Sequence, residues 1–167
     1  LRDLGPRMDT FAMVPPAALS DMAMDPPEPL PFELAHGLLD APSPAAIDAL
    51  IEATDPARVT ELDLVQLRHM GGALGRVAPG AGARATLPGA VCWLALGVAP
   101  EPTARAGVAR ALAGMEEALA PHRAGHYPNF VERPSDASGF FDTATWARLQ
   151  RVKGQYDPAD LFRGNHH

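Results

Sequence analysis

VCWLALGV (91–98) carries no charged side chain at any of its positions. Successive side chains of a strand point to opposite faces, so a run that is apolar at both parities predicts a strand covered on both sides. Such a strand belongs in the middle of a sheet, and its neighbours must be found among the flanking residues. Upstream, FELAHGLLD (32–40) places Phe32, Leu34, His36 and Leu38 on one face and reads as a strand. VTELDLVQLRHM (59–70) alternates well enough to be another, with Leu62 and Leu64 on one face and Val65 and Leu67 on the other. Downstream, residues 124–132 read as a final extended piece. Two helices fill the intervals. Ser43 followed by Pro44 is an N-cap and first-turn pair, and the helix after it carries Ile47, Leu50 and Ile51, a stripe expected to face a core. Pro102 opens the longest helix, which lines up Val108, Leu112, Met115 and Leu119 and ends before Pro121. The order β-α-β, β-α-β is the split βαβ or ferredoxin-like plan. The expected fold is α+β, an antiparallel sheet with two helices on one side.

Three segments follow. Residues 1–31 are an irregular, proline-broken lead-in, where MVPPAALSDM allows one short helix and MDPPEPLP is extended because each residue before a proline is pushed out of the helical region. Residues 32–132 are the α+β domain, with a glycine-rich connection over 71–90. Residues 133–167 form a C-terminal appendage. In FDTATWARLQRVKGQYDPADLFRGNHH, Trp146, Leu149 and Val152 share a helical face, and the helix breaks at Asp157–Pro158. ADLF then makes one more turn, with Leu161 and Phe162 available to pack, so a docking helix with a tucked tail is expected.

The charge balance narrows the partners. Fourteen Lys and Arg stand against 20 Asp and Glu, a net of -6, with no basic cluster to attract nucleic acid or an anionic membrane. No run approaches the roughly 20 apolar residues of a membrane span. No basic segment followed by an apolar one opens the chain, so a cytoplasmic protein is expected. The sequence starts LRDLGPRMD, without an initiator Met, which fits a piece of a longer chain or a remnant. The single cysteine, Cys92, excludes an intrachain disulfide and reads as a small buried hydrophobe.

Few residues invite chemistry. GGALGR (71–76) lacks the Gly-Lys-Ser/Thr ending of a phosphate loop and reads as a turn. His122 and His126 are four apart with Glu132 nearby, but Pro121, Gly125 and Pro128 oppose a helix across them, and no metal site is expected. HYPNF (126–130) is different. In an extended segment Tyr127 and Asn129 point the same way. A tyrosine acts as a general base only where its phenolate is stabilised, and an asparagine offers donor and acceptor to a heterocycle edge such as a flavin.

The closing stretch resembles the berberine-bridge-enzyme-like part of FAD-linked oxidoreductases of the vanillyl-alcohol-oxidase type. The resemblance rests on Y-x-N-F at Tyr127–Phe130 and on RLQRVKGQYDPADLFRGNHH, set beside an aromatic-x-Asn-aromatic segment, R-L-x-x-V-K-x-x-Y-D-P-x-x-x-F and a late Asn. LDLVQLRHMGGALGRV and MDPPEPLP look like the bacterial branch of the same family. The resemblance implies an FAD cofactor and the substrate domain of an enzyme that oxidises a small organic molecule (an alcohol, a sugar or a secondary metabolite) by hydride transfer to flavin. It implies that Tyr127 lies over the flavin as a base or substrate-orienting group, and that Asn129 and, at the cofactor edge, Asn165 contact it. Lys153, Tyr156, Asp157, Pro158 and Phe162 are implied to be structural. The implied partner is an FAD-binding domain, in cis or in trans, because this sequence holds no glycine-rich pyrophosphate loop. A face left uncovered without that domain would favour a homodimer. ATLPGA (85–90) stands where many bacterial relatives carry a His-Arg-Asp-Ala-like segment. The alternative is a non-catalytic remnant serving as a binding or dimerisation domain.

Overall fold

The computed structural model describes residues 2–22 and 26–166, so Met24 and Asp25 of the expected extended segment, and the last residue, His167, lie outside the described residues. The chain divides at Leu30/Pro31 into two compact units. In the first, 3-10 helices span Arg2–Leu4 and Pro16–Asp21, and Arg2 Nε is paired with the Asp9 carboxylate at 2.5 Å. The short helix expected in MVPPAALSDM is thus a 3-10 turn begun by Pro16.

The second unit runs β1 (Phe32–Leu39), α1 (Pro44–Ala53), β2 (Leu64–His69), β3 (Val91–Val98), α2 (Pro102–Leu119), β4 (Arg123–Gly125) and α3 (Thr143–Tyr156). The four strands make one sheet in the order β2-β3-β1-β4, with every adjacent pair antiparallel. The fold is α+β. The doubly apolar run takes an interior position, and Cys92, Trp93, Leu94 and Ala95 in it are all buried. Ser43 caps α1 by accepting from the Ala46 N–H at 3.1 Å.

One face of the sheet packs against α2. Ala35 and Leu39 of β1 and Trp93 and Ala95 of β3 meet Val108, Leu112, Met115 and Leu119 of α2 in the main core, the four residues whose spacing predicts that contact. Burying each large aliphatic side chain contributes about 1.5–3 kcal/mol. Gly97 is needed at the end of β3: a Cβ there would lie 2.3 Å from the Glu61 carbonyl oxygen and 2.7 Å from Val108.

Four expectations change. First, the α1 stripe faces the core only at Leu50: Ile47 and Ile51 are 46% and 62% exposed, while Ala49 and Ala53 pack inward beside Leu50. These residues join the core that α2 lines from the other side. Second, β2 begins at Leu64 rather than in the fifties. The chain around Glu61 passes over Gly97, which turns Leu62 into the helix-side core while Leu64 pairs with Leu96 on the other face. Those two leucines do not share a side. Third, the last extended piece is only three residues long. Fourth, the tail is not tucked by its apolar side chains, because Leu161 and Phe162 are 78% and 81% exposed. Polar contacts hold it instead: Asp157 accepts from the N–H groups of Leu161 (2.8 Å) and Phe162 (2.9 Å), and Lys153 bridges Asp157, Asp160 and the Phe162 carbonyl.

Candidate functional site

The opposite face of the sheet is built in three rows set by the strand register: Leu34–Leu96–Leu64, His36–Leu94–Gln66, and Leu38–Cys92–Arg68. The third row is covered. Leu38, Cys92 and Met70 form a small buried cluster with Leu87, Ala124, Tyr127 and Phe130 packed on it. The first row lies open, with Leu64 41% exposed. Cys92 is a free buried thiol, and burial pushes its pKa up.

The covering segment follows from two local breaks. β4 ends at Gly125, whose φ of +155° is unfavourable to L side chains, and Pro128 then opens a 3-10 turn over Pro128–Phe130. The strand therefore gives way to a fold-back across the sheet. This corrects the expectation that Tyr127 and Asn129 share a face. Tyr127 is half-buried, Asn129 is exposed, and Asn165 is exposed in the tail. No hydrogen bond or ring contact joins the three among the described residues.

Tyr127 instead gathers residues that its spacing could not foretell. Its backbone N–H donates to His36 Nε2 at 3.2 Å across 91 positions of sequence. Because Nε2 accepts, neutral His36 carries its proton on Nδ1. The Tyr127 ring meets Phe130 edge-on, with centroids 4.9 Å apart. His36 is edge-on to Phe130 at 6.0 Å and to His126 at 5.7 Å. The Arg68 guanidinium lies 5.0 Å above the Phe130 ring centre, a cation–π distance.

The electrostatics keep this cluster neutral at its centre. His36 is 6% exposed, and burial first, then the nearby His126 and Arg123, lowers its pKa from 6.5 to about 4. Burial and Arg123 also lower that of His126. The site can hold an uncharged imidazole and a phenol beside an apolar floor, with one guanidinium at the border. No three His, Cys, Asp or Glu side chains converge as a metal site among the described residues.

Sequence reading places His36 on its strand face but misses its role. The available signal is a histidine among Phe32, Leu34 and Leu38, a polar group that a buried face accepts only with a partner. Arg68 leaves no such trace. Among the described residues, no helix is long and apolar enough to cross a membrane. No known protein-family model matches this chain, and no curated protein is detectably similar to it.

Proposed function

We propose that this chain is the substrate-domain part of a berberine-bridge-enzyme-like, FAD-linked oxidoreductase, with a ferredoxin-like sheet presenting Tyr127 to a small organic substrate. The observation that carries this reading is the asymmetry of the sheet. α2 covers one face, while the other combines an open apolar row with Tyr127 and an uncharged His36.

That face suits a flavin chemically. Leu34, Leu64 and Leu96 offer a flat apolar floor, and the exposed Asn129 amide makes no hydrogen bond among the described residues. A bound flavin supplies the hydride acceptor. Tyr127 orients the substrate hydroxyl or amine through its phenolic oxygen and accepts or relays the proton. His36 acts through Tyr127, fixing its backbone, and is a positioning residue. The FAD-binding domain is supplied in cis or in trans.

The deciding experiment is purification of the tagged chain from its source organism, with a visible absorption spectrum and a mass for the eluting species. Flavin absorbance together with added mass supports the proposal. A colourless species of twice the chain mass instead supports the second reading, a non-catalytic domain that dimerises. That reading is favoured by β2, an edge strand with Leu64, Val65 and Leu67 all exposed. Unpaired apolar edges attract further strands.

A further inference from the structure

We propose that the cavity between the 81–88 connection and α3 binds a small organic carboxylate, held by Arg84 and Arg148. This site uses neither Tyr127 nor any flavin contact and stands apart from the function proposed above.

The cavity measures about 770 Å³, within the roughly 300–1,000 Å³ of small-molecule sites. Arg84 and Arg148 both line it, with Phe140, Phe141 and Leu149 as apolar wall. Arg84 is the single charged residue between Arg76 and Glu101. It donates through Nη2 to the His126 carbonyl at 3.1 Å, but its Nε is buried with no partner. Neither arginine has a carboxylate partner among the described residues. Nε itself is shielded from the cavity, but Arg84 lines it and burial lowers its pKa, so an anion held against the guanidinium offsets a charge that no carboxylate neutralises.

Asp142, the one acidic residue on the wall, does not fill this role. Its carboxylate is committed to the start of α3, accepting from the Thr145 N–H at 2.9 Å and the Thr145 hydroxyl at 2.7 Å. The same contacts satisfy the helix end, so the unmet demand in the cavity is that of the guanidinium. Two cations set against one fixed carboxylate favour a monoanion over a phosphate dianion, and a carboxylate can accept two parallel N–H bonds from one arginine. The aromatic and aliphatic wall favours an apolar body behind the charged group.

The test is a titration of the chain with benzoate and, separately, with inorganic phosphate, read by tryptophan fluorescence and by the thermal midpoint. Trp146 stacks on Phe141 at 6.0 Å, which places a reporter against the cavity wall. Benzoate is expected to give a saturable signal and to raise the midpoint. Arg84→Gln should weaken it about tenfold or more, the scale of a lost charge-assisted hydrogen bond, and Arg148→Gln by a smaller factor. If Arg84→Gln does not fold, exposed Arg148 carries the test alone. Saturation by phosphate but not benzoate overturns the carboxylate assignment. No saturable signal with either probe, or benzoate affinity unchanged in every folded variant, overturns the site.

Discussion

The two faces of the sheet differ in how they are closed. The helix-side face is closed by α2 with α1 beside it, through apolar contacts, with Met115 and Ala95 fully buried. The other is closed over the His36 and Leu38 rows, by a loop that sets a tyrosine and an arginine-capped phenylalanine on the buried His36, and is left open at the Leu34–Leu96–Leu64 row. The first arrangement is what stability alone selects. The second buries a titratable imidazole against its solvation preference, and such a cost points to a role in positioning.

Core truncation should break this contrast first if it is wrong. Met115→Ala on the helix side should cost about 2–5 kcal/mol, measured by denaturant unfolding, and Phe130→Ala on the loop side clearly less. Equal losses would mean that both faces are core. Next in size is acid sensitivity. The folded-state pKa of His36 lies below its unfolded value, so the stability it supports is complete above about 6.5 and declines as pH falls toward about 4. The decline should be on the order of 2 kcal/mol and should be clearly smaller in His36→Gln, where His126 with its own lowered pKa supplies what remains, with unfolding midpoints at pH 7 and pH 4.5 as the measure. An unchanged slope would move the titration to another group.

A smaller and local effect is expected at α3. Asp142→Ala removes the side chain that accepts from the Thr145 N–H, so amide exchange should speed up in the first turn of that helix and not in β1. The smallest effect sharpens the contrast most. The Tyr127 hydroxyl makes no hydrogen bond among the described residues, so Tyr127→Phe should change stability by no more than about 0.5 kcal/mol. A large loss would make the phenol structural and count against its substrate role.

The sequence states the elements and one face of the sheet plainly, because periodicity reports local burial directly. Val108, Leu112, Met115 and Leu119 are legible as a contact surface for that reason. Periodicity cannot choose between rival apolar stripes of one helix. Ile47 and Ile51 stay exposed while Ala49, Leu50 and Ala53 reach the core. The site is less legible still. The Tyr127–His36 contact depends on where Gly125 and Pro128 turn the chain, and the orphaned Arg84 donor exists only once the surrounding loops have closed.

Lys153 is the single lysine of the sequence, and the tail wraps it between Asp157, Asp160 and the Phe162 carbonyl. Both aspartates hold its ammonium protonated more firmly than a free lysine. Amine-directed reagents therefore find their one internal target already engaged, and a lysine-specific protease needs both the tail released and the last turn of α3 unwound, since Lys153 lies within that helix. Cleavage after Lys153 becomes a clock for that joint opening, and attachment through its amine a poor way to immobilise the protein without disturbing its C-terminal end.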